Sequence, residues 1–174
     1  MTRYCHIQQG NHMTTIIGID PGSCRTGYGI IRLEGNRHIH VASGHLDVSH
    51  YALSEKLRRI FLGLNDLIHT YGPEEAAIEQ VFMHANPNSA LKLGQARGAA
   101  IVALDMPVAE YSARQVKKSV VGHGAAKKEQ VQFMVTRLLN LTKALQADAA
   151  DALAIALCHA QARNLNKLLR GHRS

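Results

Sequence analysis

The chain's hydrophobic and polar pattern predicts strands first and a long amphipathic helix afterwards. Short β-branched apolar runs bounded by turn residues predict three strands, at 15–20, 28–33 and 38–46. Apolar residues at spacings of three and four then predict a helix from Leu53 to Tyr71, which Gly72 and Pro73 end. The short connections between the three strands predict an antiparallel meander.

The second half of the chain alternates strands with helices. Two further short strands are predicted at 76–81 and 107–111. Four helices are predicted at 89–104, 113–121, 127–139 and 147–169, with Ser89 and Ser112 as N-caps of the first two. The order βββαβαβααα predicts an α/β fold with a five-stranded mixed sheet, an antiparallel meander plus two parallel strands, flanked by helices.

The two ends of the chain lie outside this pattern. Residues 1–12 are polar and unpatterned, so we interpret them as an extension outside the fold. Residues 13–162 form the predicted domain, because a chain of 174 residues is close to the usual size of a single domain. The basic tail at 163–174 could contact phosphate groups of a binding partner, although a frayed, solvated helix end is the simpler interpretation.

Charge and cysteine content narrow the class of protein. The formal net charge of +7 favours polyanionic partners, although a basic surface without a role is the alternative. Cys5, Cys24 and Cys158 are odd in number and widely spaced, which argues against a disulfide framework and against a thiolate zinc site. No apolar stretch approaches the ~18 residues of a membrane span. We therefore predict a cytoplasmic protein with no membrane association.

Two carboxylates interrupt apolar strands. Asp20 ends the first predicted strand, directly before Pro21 and Gly22. Glu79 lies within the apolar run at 76–81, where glutamate has a poor strand propensity. Burial of an unpaired carboxylate is costly, so both residues are candidates for a functional site. The alternatives are a turn-forming aspartate and a glutamate that faces solvent on an edge strand.

A second pair of carboxylates begins the last predicted helix. Asp148 and Asp151 are three residues apart and therefore project from one helical face. Acidic residues in a first turn also stabilise the helix dipole, by ~0.3–1 kcal/mol each, and this is the structural alternative. The remainder of the helix is mostly Ala, Leu and Ile, which indicates close packing against the sheet.

The four carboxylates predict a metal site if the three elements that carry them converge. Like charges at close range repel one another unless a cation lies between them. Oxygen ligands without a cysteine partner suit Mg²⁺, or Mn²⁺ in its place, rather than Zn²⁺. Two such ions ~3.5–4 Å apart could stabilise both the attacking and the leaving oxygen of a phosphodiester displacement.

Four sequence blocks resemble one known family. They are GIDPGSCRTGYG (18–29), EQVFMHANPNSALKLGQARG (79–98), EYSARQVKKSVVG (110–122) and QADAADALAIALCHA (146–160). In order and approximate spacing they resemble the RuvC family of Holliday junction resolvases, from about Met13 to His159. The resemblance implies a ribonuclease H-like fold and a homodimer that cuts opposing strands of a four-way junction in recombination and repair. It also implies partnership with the RuvA and RuvB branch-migration complex.

The resemblance also assigns roles to individual residues. It matches the family's catalytic, metal-binding acids to Asp20, Glu79, Asp148 and Asp151. Phe82 matches an aromatic residue that stacks on a base at the opened crossover, with a core phenylalanine as the alternative.

Basic residues complete the site that the resemblance implies. Lys117 and Lys128 match family residues near the scissile phosphate. The predicted DNA contacts further include Arg97, Arg114, Lys118 and Lys127, most of which surround a glycine loop. Cys24, His84 and Lys127 depart from the family pattern, and these departures put the DNA contacts near them in doubt while leaving the four acids intact.

Three other functions compete with a junction endonuclease that leaves 5′ phosphate and 3′ hydroxyl ends. A non-cutting junction-binding module would be signalled by loss of an acid, but all four are present. An actin-like ATPase or sugar kinase needs a duplicated domain, for which 174 residues leave no room. A ribonuclease acting on RNA–DNA hybrids would share the fold and the metal chemistry, so only the resemblance argues against it.

Overall fold

Five strands form one mixed sheet in the computed structural model, which describes residues 13–81 and 87–171, with side chains up to residue 165. The strands are β1 (Thr14–Asp20), β2 (Arg25–Glu34), β3 (Arg37–Asp47), β4 (Glu75–Glu79) and β5 (Val108–Tyr111). Their order across the sheet is β3-β2-β1-β4-β5. The first three strands pair antiparallel, whereas β4 lies parallel to β1 and β5 parallel to β4. The predicted meander plus two parallel strands is confirmed.

The described helices follow the predicted periodicity. They are α1 (Leu53–Tyr71), α2 (Pro87–Leu104), α3 (Ala113–Val121), α4 (Lys128–Leu138) and α5 (Ala147–Gly171). Gly72 ends α1 in the left-handed conformation, and Ser112 begins α3 with a capping box completed by Gln115. Within the described residues, every helix is too short or too polar to cross a membrane.

Most predicted boundaries shift by one or two residues, and three differences have a clear physical reason or consequence. β2 begins at Arg25 rather than at residue 28, because the backbone ladder to β3 continues through a glycine that carries no strand signal. The prediction of Ser89 as an N-cap is wrong: α2 begins at Pro87, and proline suits a first helical position because it has no N–H to satisfy. The predicted boundary between residues 162 and 163 falls inside α5. The predicted extension at 1–12 lies outside the described residues.

Side-chain alternation along the strands divides the core between the two faces of the sheet. Ile17 and Ile19 of β1 pack with α1 and α2, whereas Ile16 packs on the other face with α3, α4 and α5. In β4, Ile78 belongs to the first face and Ala77 to the second. We call the second face the α5 face, since α5 covers its centre.

Glycines allow α5 to lie unusually close to the sheet. Gly18, Gly27 and Gly29 point towards the helix from neighbouring positions on β1 and β2. A Cβ atom on Gly18 would lie 2.3 Å from the backbone oxygen of Ala152, and one on Gly27 equally close to that of Asp148. No side chain fits at these two positions, so the contact between helix and sheet is direct. This contact brings the first turn of α5 to the end of β1.

Candidate active site

Strand alternation places two predicted acids on the α5 face. Asp20 follows Ile16 and Gly18 at every second position of β1, and Glu79 likewise follows Ala77 in β4. β1 and β4 are parallel, so both acids lie at the same edge of the sheet. The close approach of α5 adds its first turn to this edge. The predicted metal site required these three elements to converge, and the fold brings them together.

The carboxyl groups of Asp20 and Glu79 share a hydrogen bond. The pKa of Asp20 is raised to about 8, mainly by burial and also by the neighbouring charges of Glu79 and Asp151. Burial also raises the pKa of Glu79. Asp20 therefore holds a proton at neutral pH in the absence of a cation, and the two acids share that proton.

Lys128 supplies the opposite charge. It is the first residue of α4, and its Nζ donates a hydrogen bond of 2.8 Å to Oδ2 of Asp151. This bond raises the pKa of Lys128. Lys117 of α3 also acts on the site, because its positive charge favours the ionised form of Glu79. Glu79, Asp151 and the two lysines line one open cavity, floored by apolar residues of α3, α4 and α5.

Asp148 is the most peripheral of the four predicted acids. It lies one helical turn before Asp151, and its backbone oxygen approaches Gly27 of β2. Its charge reaches Lys128 and raises the pKa of that lysine. The structure thus joins Asp20, Glu79 and Asp151 directly, and it links Asp148 to them through the lysine.

The donor chemistry of the acids fits a hard divalent cation. Several carboxylates at one sheet edge, one kept protonated by burial and repulsion, form a site whose electrostatic cost a cation would relieve. Within 13–81 and 87–171, however, no group of three or more His, Cys, Asp or Glu side chains is arranged to hold a metal ion. A proton on Asp20 and the ammonium of Lys128 balance the charge instead.

The residues predicted to contact DNA lie in separate parts of the structure. Arg114 and Lys118 line a depression around the glycine loop, together with Ser112 and His123. Lys127 precedes α4 as its exposed N-cap residue. Phe82 and His84 lie outside the described residues, so the stacking role of Phe82 stays a prediction.

Arg97 makes polar contacts within the protein that the sequence did not indicate. Its guanidinium pairs with Glu110 of β5 at 2.6 Å and donates from Nε to the backbone oxygen of Glu79 at 3.3 Å. Arg97 thereby supports the end of β4 from α2, on the face of the sheet opposite to the acid cluster. Its role in DNA contact stays a prediction.

Sequence reasoning missed one polar network on the α5 face. His159, which received no predicted role, and Arg163, which was assigned to the basic tail, both bind Glu75 at the start of β4. Arg163 is therefore held against the sheet and is not part of a frayed end. The sequence contained one signal. Glu75 lies four residues before Glu79, so both point to the same face if the strand includes them, and His159 and Arg163 are four residues apart on one face of a helix.

Comparison with known proteins gives a consistent result. The family model for crossover junction endodeoxyribonuclease RuvC matches residues 16–159. A protein of that name from Acinetobacter baumannii is 61% identical over 153 residues, covering 86% of this chain and 84% of the relative. One from Tolumonas auensis is 59% identical over 150 residues, covering 84% and 87%.

A solved structure agrees with the fold. Thermus thermophilus RuvC in complex with Holliday junction substrate superimposes with a TM-score of 0.83 at 35% identity. The match covers 89% of this chain and 97% of that one. The predicted ribonuclease H-like arrangement of sheet and helices is confirmed.

Proposed function

Because this chain belongs to the RuvC family of crossover junction endodeoxyribonucleases, we propose that it hydrolyses phosphodiester bonds of four-way junction DNA at the edge where its acids meet. One observation supports this most. Asp20, Glu79 and Asp151, from three separate elements, interact at one end of the sheet beside the ammonium of Lys128. A purely structural site has no need of several mutually repelling carboxylates.

The proposal includes a divalent cation held by Asp20, Glu79, Asp148 and Asp151. Mg²⁺, or Mn²⁺ in its place, would supply positive charge that activates water and stabilises the leaving oxygen, with two ions per site. To hold a cation, Asp20 would have to be ionised and Asp151 would have to give up its bond to Lys128.

The lysines act on the phosphate in this proposal. Lys117 and Lys128 line the cavity beside Glu79 and offset negative charge that develops on the scissile phosphate. Water attacks in line, and the products are a 5′ phosphate and a 3′ hydroxyl, which a ligase could seal. Arg114 and Lys118 hold the DNA backbone farther from the acids, and Phe82 stacks on an exposed base.

Symmetry extends the proposal to a pair of subunits. A four-way junction has near two-fold symmetry, so a two-fold homodimer presents one acid cluster to each of two opposing strands. We propose this assembly, acting with the RuvA and RuvB branch-migration complex in recombination and repair. Sedimentation of the purified protein would test the assembly directly.

Substitution of the acids tests the proposed chemistry. Asp20→Asn and Glu79→Gln should each lower cleavage of a synthetic four-way junction by at least about 100-fold, because each removes a charge that stabilises the transition state through the cation. Junction affinity, measured by gel shift without divalent cation, should stay close to that of the wild type. Asp66→Asn is the matched control, because Asp66 is exposed on α1, on the opposite face of the sheet.

The choice of substrate tests the proposed specificity. The wild-type protein should cut the four-way junction in preference to a linear duplex and an RNA–DNA hybrid of the same sequence. Preferential cleavage of the hybrid would contradict the proposal, and so would Mg²⁺-dependent junction cleavage by the purified Asp20→Asn, Glu79→Gln double variant.

A further inference from the structure

A network of polar side chains joins α5 to the sheet away from the acid cluster. Nε2 of His159 lies 3.0 Å from Oε2 of Glu75, and Nε of Arg163 donates to Oε1 of the same carboxylate at 2.6 Å. Nδ1 of His159 lies 2.8 Å from the hydroxyl of Tyr111, and Arg163 also donates to the hydroxyl of Thr14 at 2.9 Å. We call Glu75, His159 and Arg163 the clamp.

The clamp is largely buried, and most of its polar atoms are hydrogen-bonded. The side chains of His159, Arg163 and Glu75 are only 15%, 18% and 29% exposed. Both ring nitrogens of the histidine and both oxygens of the glutamate have partners. Because a carboxylate can only accept, Nε2 of His159 is the donor to Glu75. The clamp and its two partners thus tie α5 to β1, β4 and β5 at once.

The clamp and the acid cluster lie at opposite ends of one strand–helix pair. Glu75 and Glu79 begin and end β4 on the same face, about 13 Å apart along a strand. His159 lies eight residues after Asp151, about 12 Å along the helix axis and about 80° around it, so both residues belong to one broad face of the helix. These two spacings match, so the position of α5 at the clamp carries over to its position at the site.

The contact between the two ends is apolar. Ile155 stands between Asp151 and His159 on the helix, and Ala77 stands between the two glutamates on the strand. Apolar contacts are non-directional and do not by themselves fix the axial position of a helix, whereas hydrogen bonds require a narrow range of distance and angle. The clamp therefore provides directional restraint that the packing beside it lacks.

We propose that the clamp is a positioning device, which fixes α5 along β4 and thereby sets the separation of Asp151 and Glu79 for cation binding. This inference rests on the function proposed above. Glu75, His159 and Arg163 touch neither substrate nor cation in this role, and they act only through the placement of the helix. Displacement of reacting groups by ~1 Å is enough to lower a rate about 100-fold.

Metal titration tests the clamp. Binding of Mn²⁺ and Mg²⁺ to the DNA-free protein is measured by calorimetry, and junction cleavage is measured against Mg²⁺ concentration. His159→Phe and the nearly isosteric Glu75→Gln should raise the half-saturating cation concentration about tenfold and lower kcat, with KM for the junction unchanged. His159→Gln, which can still donate to Glu75, should recover part of the affinity. Tyr111→Phe removes one hydroxyl and should have a smaller effect.

A cavity variant separates positioning from general stability. Val135→Ala removes buried volume in α4 on the same face of the sheet without touching the clamp. At a comparable loss of Tm, it should leave the half-saturating cation concentration unchanged.

The outcomes distinguish the two proposals. Wild-type cation affinity in the folded clamp variants would overturn the inference, as would an equal shift in Val135→Ala. In either case cation-dependent cleavage by the wild type would still stand. If the wild-type protein neither binds the cations nor cuts junctions, the proposed function itself fails, and the role of the clamp fails with it.

Discussion

Asp20 illustrates, at the scale of one residue, how a proposed catalytic position lowers stability at neutral and higher pH. The pKa of Asp20 is about 8 in the folded protein, mainly because the side chain is buried, and near 3.9 in an unfolded chain. The folded state therefore binds the proton more tightly than the unfolded state. The resulting stability is fully present below about pH 4 and is lost as the pH rises through about 8.

Asp20→Asn should remove this loss of stability. Asparagine is neutral at every pH and can still donate a hydrogen bond to Glu79. At pH 8.5 without divalent cation, we expect the variant to melt about 3–8 °C above the wild type, a difference that should vanish near pH 4. Thermal unfolding followed by circular dichroism measures this, with Asp66→Asn as the control. Parallel pH profiles of the variant and the wild type would contradict the raised pKa.

At the scale of elements, the glycines of β1 and β2 determine how closely α5 approaches the sheet. Gly18→Ala would place a Cβ atom 2.3 Å from the backbone of α5, so the helix has to move away from the sheet. We expect a loss of roughly 2–4 kcal/mol in the free energy of unfolding, together with loss of cleavage. Urea denaturation and the junction assay measure the two effects.

Gly94→Ala provides the matched comparison. Gly94 lies within α2, and a Cβ atom there meets nothing within 4 Å. Alanine should stabilise the helix by about 0.5–1 kcal/mol and leave cleavage unchanged. If both substitutions had the same effect, the close approach of α5 would not matter for the site.

Elements were predictable because periodicity is a local property. Each strand and helix was predicted within a few residues. The start of α2 was placed too late because Pro87, which suits the first turn of a helix, was not recognised as its first residue. The position of α5 above β1, by contrast, depends on contacts between residues far apart in the sequence, such as Gly18 and Ala152. Spacing alone could not show that the first turn of α5 lies beside Asp20, and the family resemblance supplied that step. The clamp was missed because its bonds join residues 84 and 88 positions apart.

At the scale of the whole molecule, positive charge has to compensate for a negatively charged site. The chain carries a net charge of +7, yet the acids of the candidate site lie together at one edge of the sheet, where DNA phosphates would be repelled. Lys117 and Lys128 line that cavity, and Arg114 and Lys118 line the depression around the glycine loop. The basic residues thus create an attractive surface around a repulsive centre.

The salt dependence of junction binding tests this arrangement. An Arg114→Gln, Lys118→Gln double variant should bind the junction more weakly and should reduce the slope of log affinity against log salt by about 2, one for each lost phosphate contact. Titrations without divalent cation measure the slope. Arg58→Gln on α1, on the opposite face of the sheet, is the control. An equal change in the control would place the DNA elsewhere.

The hydrogen bond between Arg163 and Thr14 joins residues 149 positions apart, and this separation bears on synthesis at the ribosome. The strands that carry Asp20 and Glu79 leave the ribosome before α5 does, so a nascent chain has two acids without Asp151. In that nascent chain, Gly18, Gly27 and Gly29 are not yet covered by α5, and the acid cluster is incomplete. The candidate nuclease site can therefore assemble only after α5 has been translated, which delays cutting activity until that helix has left the ribosome.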